Sequence, residues 1–449
     1  MQMNQVSTSE KTFFDRFLHS LAGGSIVLML SATVALVWAN SPWSQSYFDL
    51  SHLKIGVIFG GKTYQMGLAH WVKDGLMTIF FFVVGLEIKR EVLLGELSNV
   101  RKATLPVLAA IGGVVVPACI YFFFNHGGPA ASGWGVPMAT DIAFALGILA
   151  LLGDRVPAGL KVFLTALAIV DDIIAVLVIA IFYTAQINMV SLMWAAFFLA
   201  CFYGVVKIKS RRPILYLIPA VGAWSSFMVS GIHATIAGVL IALLIPVRPT
   251  IDPRSYLHKI STALHKLDIS GFNKCSPACI IKDQWPLIER IYLTADDMIP
   301  SGLFLEKHLH PVQAFVILPL FALFAAGATL SASMFATFPD PISLGIILGL
   351  FLGKQIGILG MTCLGKLMGL VDLPEGVRWP HIWGVSMLAG IGFTMSIFIS
   401  ELAYADSFMI DQAKIAIFMA SILSGIMGYV TLRASFRFLD FSDKPLTQK

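Results

Sequence analysis

Two adjacent aspartates, Asp171 and Asp172, lie in the middle of an otherwise uncharged apolar run that extends from Val162 to Tyr183. A run of about 20 apolar residues is long enough to span a bilayer as a helix. A charged residue at the centre of such a span costs about 2.5–3.5 kcal/mol of insertion free energy, and intramembrane acids usually mark ion or proton pathways. The pair therefore indicates a cation- or proton-binding site. A structural carboxylate pair held by hydrogen bonds is the alternative.

Further charged residues lie in or beside apolar segments, among them Asp141, Lys354 and Asp74, and a glycine-rich run covers residues 388–396. Small residues in membranes most often allow close helix packing. An interrupted segment in each half of the chain, one near Asp141 and one in the glycine-rich run, instead indicates a binding site between inverted repeats. Backbone carbonyl groups that such interruptions free can bind cations.

The residue types suit a small hard cation, because carboxylate and backbone oxygens match Na⁺ or H⁺ better than a transition metal. Successive helical residues point about 100° apart. Asp171 and Asp172 therefore cannot face one point equally, and we expect one to face the ion path while the other pairs with a neighbouring helix. Lys354 is the best intramembrane basic partner. A carboxylate that holds either a proton or a metal ion provides the minimal chemistry of an exchanger.

The composition excludes a soluble globular enzyme. The chain has 449 residues, of which 57% are hydrophobic and 13% charged, and its mean hydropathy is +0.81. Soluble domains carry about 25% charged residues, so we expect a polytopic membrane protein that is not an enzyme. The net charge of +5 then bears on membrane topology rather than on nucleic acid, and no nucleic-acid partner is expected.

The cysteines do not form a disulfide pattern, because their number is odd and they are scattered along the chain. Cys275 and Cys279, with His258 and His265 upstream, have poor spacing for a metal site. We therefore expect no cofactor and no resident metal.

The apolar segments predict about twelve transmembrane helices. Their approximate ranges are 21–39, 68–88, 103–124, 136–152, 158–183, 190–206, 213–228, 231–247, 304–329, 342–365, 381–404 and 412–435.

The basic residues predict the orientation of these spans. The connections at 125–135, 184–189 and 330–341 contain no Lys or Arg, whereas the alternate connections are basic. Basic loops stay in the cytoplasm, so both termini are predicted to be cytoplasmic. The basic residues are Lys89, Arg90, Arg101 and Lys102; Arg155 and Lys161; and Lys207, Lys209, Arg211 and Arg212.

The predicted organisation has five parts. They are a cytoplasmic N-terminus (1–20), helices 1–8 (21–247, with an external loop at 41–67), a long cytoplasmic loop (248–303), helices 9–12 (304–437) and a cytoplasmic tail (438–449).

Two connections are long enough to carry structure of their own. In the external loop, Gly60-Gly61 between β-prone runs predicts a hairpin whose edge could join a second subunit. A simple loop is the alternative. In the cytoplasmic loop, an apolar helical face predicts an amphipathic surface helix, and its near-balanced charges favour packing over lipid attraction. That face comprises Tyr256, Leu257, Ile260, Leu264 and Leu267.

Five motifs resemble those of the bacterial NhaA-type sodium/proton antiporters, and the similarity runs in order from residue 14 to residue 437. Inverted repeats with broken helices are known from this same family. The motifs are Ala139-Thr-Asp-Ile-Ala-Phe-Ala-Leu-Gly147, Ala166-Leu-Ala-Ile-Val-Asp-Asp172, Ser230-Gly-Ile-His-Ala-Thr235, Leu352-Gly-Lys354 and Gly390-Ile-Gly-Phe-Thr-Met-Ser-Ile-Phe-Ile399.

The resemblance implies an all-α protein with two interrupted helices that cross at mid-membrane. It places the cation site at Asp171 and Asp172, with Thr140 and Asp141 nearby. Asp141 would balance the positive half-helix ends, and Lys354 would balance the negative ends while pairing with Asp171. The implied activity is expulsion of Na⁺, and of Li⁺, in exchange for external protons by a homodimer in the bacterial inner membrane, for pH and sodium homeostasis. The two titratable carboxylates predict two protons per Na⁺ and hence electrogenic exchange.

The family's cytoplasmic pH-sensing cluster also maps onto this chain, with two departures from the best-known pattern. Lys307 replaces a histidine, and Ala325 stands where an asparagine is frequent. His233 lies in one of the matching motifs. Its two alternative roles are to sense protons and to pack in the core. The mapped residues are Glu87, Arg90, Glu91, Glu306 and His310.

Two other functions compete with exchange. An intramembrane aspartyl protease needs two acids on different helices, which Asp141 and Asp172 could supply, but the chain lacks a Gly-x-Gly-Asp run and Lys354 would have no role. An organic-anion transporter needs unpaired basic residues or free half-helix N-termini, and acids dominate here.

Overall fold

The computed structural model describes residues 21–59, 62–184, 187–210, 212–249, 252–266, 285–296, 298–330 and 338–442. These residues are predominantly helical, which confirms the predicted all-α polytopic membrane protein. Within them, eight helices are long and apolar enough to cross a membrane, or up to ten if each of two bent pairs counts as one span. The predicted N-terminal segment 1–20 lies outside the described residues.

The first half of the chain is helical apart from one hairpin. Its α-helices are α1 (Leu21–Ala39), α2 (Ser44–His52), α3 (Leu68–Trp71 and Met77–Leu94, continuous through a π-helical turn at Val72–Leu76), α4 (Val100–Phe124), α5 (Ile142–Leu151), α6 (Ala158–Phe182), α7 (Met189–Ile208), α8 (Pro213–Ser230) and α9 (Thr235–Leu244).

The second half contains two helices of the long 248–303 connection, followed by the remaining long helices. They are α10 (Pro253–Lys266), α11 (Trp285–Asp296), α12 (Ser301–Val312 and Leu318–Ala325, joined by a π-helical turn at Gln313–Ile317), α13 (Pro341–Leu348 and Lys354–Leu367, joined by a π-helical turn at Gly349–Gly353), α14 (Trp379–Leu388), α15 (Phe393–Ala403) and α16 (Ser407–Ser442).

The predicted hairpin forms between two short antiparallel strands, β1 (Lys54–Phe59) and β2 (Lys62–Gly67). Their register runs from Lys54 opposite Gly67 to Phe59 opposite Lys62. The Gly60-Gly61 turn itself lies outside the described residues. The structure therefore confirms the predicted strands, whereas the role of the hairpin in subunit pairing remains a prediction.

The long connection at 248–303 contains the expected amphipathic helix, α10, packed against α11. Ala263 is buried and Ile260 half-buried, whereas Leu257 and Leu264 of the same predicted face are exposed. Helix packing therefore covers part of that face. Leu267 and the weakly predicted metal ligands Cys275 and Cys279 lie outside the described residues.

Two helices are interrupted, as the sequence predicts. The first interruption, at residues 139–141, separates a 3₁₀ helix (Pro129–Met138) from α5. The second, at residues 389–392, separates α14 from α15, whose axes differ by 48°. Proline and glycine lie at the two breaks. Pro137 cannot donate to an α-helical hydrogen-bond ladder, and Gly390 lies so close to the carbonyl of Leu350 that only glycine fits there.

The middle of α13 holds the two interruptions in place. Its π-helical turn begins at Gly349, where an added Cβ would lie 2.7 Å from Pro137 of the first interrupted segment. The next residue, Leu350, contacts Gly390 of the second interruption through its carbonyl oxygen. A π-helical turn is a rare insertion that often marks functional sites, and this one ends at Gly353, directly before Lys354.

Candidate functional site

Helix α6 brings both aspartates of the pair into the interior. Asp171 and Asp172 are 3% and 4% exposed. Their side chains face different partners: Asp171 Oδ2 accepts a hydrogen bond from Lys354 Nζ at 2.7 Å, and Asp172 lines a cavity. The division of labour expected from the 100° spacing is therefore present in the structure.

The Asp171–Lys354 ion pair is deeply buried, since Lys354 is 1% exposed. Removing two charges from water costs several kcal/mol per ion, and this cost is offset only when the pair is close and well hydrogen-bonded. Asp171 Oδ1 has no hydrogen-bond partner among the described residues, although it is buried. Buried side-chain oxygens without a partner are uncommon in folded proteins, so this atom calls for an explanation.

Asp141 lies between two helix N-termini. Its Oδ1 accepts from the Phe144 amide at 3.0 Å, which caps α5, and its Oδ2 accepts from the Thr394 amide at 3.2 Å, in the first turn of α15. The Thr394 hydroxyl donates to the same oxygen at 2.5 Å. Helix N-termini carry a partial positive charge of about half a unit, so a carboxylate is stabilised between them. This geometry supports the role that the resemblance implied for Asp141.

The two interruptions are joined directly through their freed backbone groups. The Asp141 amide donates to the Ile391 carbonyl at 2.7 Å, and the Thr140 hydroxyl donates to the Ala389 carbonyl at 2.9 Å. The Ser396 hydroxyl donates to the Val136 carbonyl at 2.8 Å. Unwound backbone is tolerated away from water because such bonds satisfy it. The contact that the structure gives Lys354 is with Asp171, and its implied role toward the half-helix C-termini remains a prediction.

A cavity of about 330 Å³ reaches Asp172 and Asp141. Oxygen-bearing side chains surround its inner end, and carboxylate and hydroxyl oxygens are ligands that a hard cation such as Na⁺ prefers. These inner residues are Thr140, Asp141, Asp172 and Thr394.

Much of the predicted pH-sensing cluster lines the same cavity. Glu87, Glu306 and His310 line the cavity, and Lys307, the departure from the family pattern, lines it with them. The remaining members of the cluster are Arg90 and Glu91. Arg90 forms ion pairs with Glu306 at 2.9 Å and with Glu91 at 2.8 Å. The structure therefore brings all five predicted residues close together, three of them in the cavity lining and two connected to it through the Arg90 ion pairs. Asp74, by contrast, lies apart from this site, where it pairs with His70 at 3.0 Å and has His233 at 4.0 Å.

Sequence reasoning missed several polar contacts. Thr394 was quoted within a motif but not as a ligand of Asp141, and only the fold brings them together. The sequence reasoning also did not single out Glu401 and Lys414, although both lie inside predicted apolar segments. In the structure Glu401 forms ion pairs with Lys73 at 2.6 Å and with Lys414 at 3.1 Å. A charge inside a span was the signal that could have identified them.

Comparisons with known proteins identify similar sequences over nearly the whole chain. The family model described as Na⁺/H⁺ antiporter 1 matches residues 15–432. A protein named Na(+)/H(+) antiporter NhaA from Oleidesulfovibrio alaskensis is 47% identical over 94% of this chain and 94% of its own length. Its namesake from Sulfurimonas denitrificans is 43% identical over 94% of this chain and 95% of its own. A protein named Na(+)/H(+) antiporter NhaA 1 from Psychromonas ingrahamii is 46% identical over 93% of this chain and 95% of its own length.

Proposed function

The chain belongs to the Na⁺/H⁺ antiporter 1 family, and from that membership we propose that it expels Na⁺, and also Li⁺, in exchange for two external protons per Na⁺. The observation that carries the proposal is the placement of Asp172 at the inner end of a cavity, beside a second buried carboxylate that is held by a lysine. The physiological result is sodium and pH homeostasis.

Asp172 is the residue that binds either Na⁺ or a proton in this proposal. It is buried and lines the cavity, and the oxygens of Asp141, Thr140 and Thr394 line the same inner end. A cation that enters from the cytoplasm replaces water with these oxygens and displaces the proton of Asp172. Since one carboxylate cannot hold both ions at full strength, occupancy by one ion favours release of the other.

The second proton comes from the Asp171–Lys354 pair. Na⁺ at Asp172 attracts the carboxylate of Asp171, whose Oδ1 lacks a hydrogen-bond partner among the described residues. Breaking the pair leaves Lys354 in a low-dielectric environment, where the neutral amine is favoured. The second proton therefore leaves from Asp171 or from Lys354, and these coupled groups titrate as a unit. In either case two positive charges are exchanged for one.

Asp141 acts as a fixed charge. It accepts hydrogen bonds from Phe144 and Thr394 at the two half-helix N-termini. Such donors offset part of the cost of burying a carboxylate. Asp141 therefore holds the two interruptions together and contributes negative potential to the cation site.

We assign the cytoplasmic cluster to pH regulation. Glu87, Glu306 and His310 line the entrance, and Arg90 joins Glu306 to Glu91. A change in protonation of these groups alters the local charge through which Na⁺ must pass. Lys307 adds a permanent positive charge at this entrance, so the activating pH is expected to differ from that of relatives with histidine there.

The twelve-span organisation belongs to the same proposal. The structure's eight to ten candidate spans become twelve if α3, which carries charged residues, and the short α9 are added. The touching interruptions near Asp141 and Gly390 then form the crossing of two broken helices in inverted repeats, at mid-membrane in the bacterial inner membrane.

The proposed orientation predicts opposite accessibility for two exposed lysines. In a background without cysteines, Lys54→Cys should react with an impermeant thiol reagent only from outside, and Lys259→Cys only from the cytoplasm. Labelling whole cells and everted vesicles in parallel measures both. Reaction of both positions from one side would refute the orientation.

The hairpin is proposed to join two subunits, since its exposed edges can pair through main-chain hydrogen bonds. Deletion of residues 53–63 should shift the detergent-solubilised protein from dimer to monomer in a mass measurement, with exchange reduced but present. The full-length chain at the same concentration is the control. An unchanged mass would show that the subunits join elsewhere.

The experiment that tests the proposed function is a flux assay in everted vesicles. Addition of Na⁺ or Li⁺ to acidified vesicles should release protons, whereas a panel of organic anions should not. Release driven by an organic anion would favour the competing transporter function. Proteolysis of a membrane-embedded peptide, with no cation-driven proton release, would favour the protease.

A further inference from the structure

Three charged side chains from three helical segments meet at the end of the molecule opposite the cluster entrance. Lys73 lies in the π-helical turn of α3, Glu401 in the last turn of α15, and Lys414 in α16. Glu401 Oε1 is 2.6 Å from Lys73 Nζ and 3.1 Å from Lys414 Nζ. We refer to these residues as the charged triad.

The charged triad is largely removed from solvent. The side chain of Glu401 is 12% exposed and that of Lys414 is 7% exposed. Buried ion pairs contribute little net stability compared with apolar residues of the same volume, because desolvation opposes their attraction. Three ionised groups at one helix junction are therefore poorly explained by stability alone. An ion pair does, however, hold two elements in one discrete arrangement.

The two links of the triad differ in what they join. Glu401 and Lys414 belong to α15 and α16, which pack against each other. Lys73 belongs to α3, which packs most extensively against α9. The Lys73–Glu401 bond therefore joins α3 to this pair of helices, whereas Glu401–Lys414 is a bond within the pair. A further polar contact joins α16 to the segment just after α12, a helix that itself packs against α3: Asp411 accepts hydrogen bonds from the amide and hydroxyl of Thr329.

Farther from the charged triad, the same two helices both contribute residues to the cavity lining. Glu87 lies about four turns, roughly 20 Å, beyond Lys73 on α3, and Thr394 lies about two turns before Glu401 on α15. Both Glu87 and Thr394 line the 330 Å³ cavity. Helices α3 and α15 therefore touch at the charged triad and enclose a cavity at the ion site. Between the charged triad and the cavity, Phe398 of α15 packs against two aromatic rings. Its ring centroid lies 5.8 Å from that of Phe81 and 6.2 Å from that of Phe321.

We propose that the charged triad is the external closure of the transport pathway, and that the Lys73–Glu401 bond breaks each time the site opens to the outside. This inference rests on the proposed exchange function and its orientation, in which α3 begins and α15 ends on the external side. Closure by one bridging bond, with Glu401 and Lys414 moving as a unit, lets the external side open without unpairing Glu401.

A reversible cross-link tests the proposal. In a cysteine-free background, Lys73→Cys with Glu401→Cys is joined by a short bifunctional thiol reagent whose disulfide bonds can be reduced. Na⁺-driven proton movement in vesicles is measured before cross-linking, after it, and after reduction. We expect exchange to fall to background on cross-linking and to return on reduction. A matched control joins Glu96→Cys to Lys102→Cys, an exposed ion pair at 3.2 Å, and its exchange should persist.

Exchange at the uncross-linked rate in the joined Lys73–Glu401 variant would overturn the proposal, whereas absence of exchange in the unmodified protein would overturn the exchange function instead. A second measurement needs no transport. Ser400→Cys, at a position that is buried beside Glu401, should react faster with an external impermeant thiol reagent when Lys73→Met is added. Equal labelling rates with and without Lys73 would contradict the external closure.

Discussion

Replacing Asp172 by Asn should abolish Na⁺-driven proton movement in everted vesicles while the protein remains folded in the membrane. Asparagine has nearly the same volume and keeps a carbonyl oxygen, but it neither carries a charge nor releases a proton. Asp172 lines the cavity with the other site oxygens, so its loss removes the group at which Na⁺ and the proton compete. Transport at the background level of vesicles without the protein is the expected result.

The matched control for this substitution is Asp49→Asn, because Asp49 is exposed on α2 and lies apart from the cavity. That variant should exchange at the unmodified rate. Both proteins should be recovered from the membrane in equal amounts, which separates loss of function from loss of folding. Normal exchange in the Asp172 variant would assign the cation site to other residues.

The second large effect is expected at the buried ion pair. Asp171→Asn leaves Lys354 without its 2.7 Å partner, and removal of one member of a buried pair typically lowers the free energy of unfolding by about 3–5 kcal/mol. The variant should therefore melt at a lower temperature in detergent. It should also move fewer protons per Na⁺, since in the proposed mechanism the pair supplies the second proton.

A double variant separates these two effects. Asp171→Asn combined with Lys354→Met removes both charges, so much of the lost thermal stability should return. The second proton should not return, because neither group remains to supply it. Recovery of stability together with two-proton coupling would place the second proton at a residue outside this pair.

The central acids could be identified from sequence because their signal is energetic. Charged residues inside a span are costly, so Asp171, Asp172 and Lys354 stand out in an apolar sequence without any knowledge of the fold. The pairing of Asp171 with Lys354 followed because few intramembrane bases are available. The two interruptions were similarly visible, since proline and glycine act on the local backbone.

Features that depend on tertiary contacts were less predictable. Thr394 is an ordinary helical residue in sequence, and its bond to Asp141 arises because two interruptions that are distant in the chain meet. The π-helical turn before Lys354 adds one residue to a helix turn, which apolar periodicity over a short segment does not reveal. Glu401 carried the right signal but lies near a span end, where charges are tolerated and therefore less informative.

Prediction of the pH-sensing cluster depended more strongly on the resemblance to known antiporters. Glu87, Arg90 and Glu91 are close in sequence, but Glu306 and His310 lie far along the chain, beyond the long loop. Nothing in local spacing links these two groups. The structure brings them together because α3 packs against α12, which places Arg90 against Glu306. The same packing places Lys307 in the cavity lining beside Glu306 and His310.

The central claim, two protons exchanged for one Na⁺ at the aspartate pair, is tested most directly by a reversal potential. The purified protein is reconstituted in vesicles with fixed Na⁺ and proton gradients, and the membrane potential is varied with K⁺ and valinomycin until net Na⁺ flux stops. Each charge moved through the membrane is worth about 2.3 kcal/mol per 100 mV, so the reversal point depends strongly on stoichiometry. We predict reversal at the potential required for two protons per Na⁺, whereas flux that ignores the imposed potential would show one-for-one exchange and contradict the proposed mechanism.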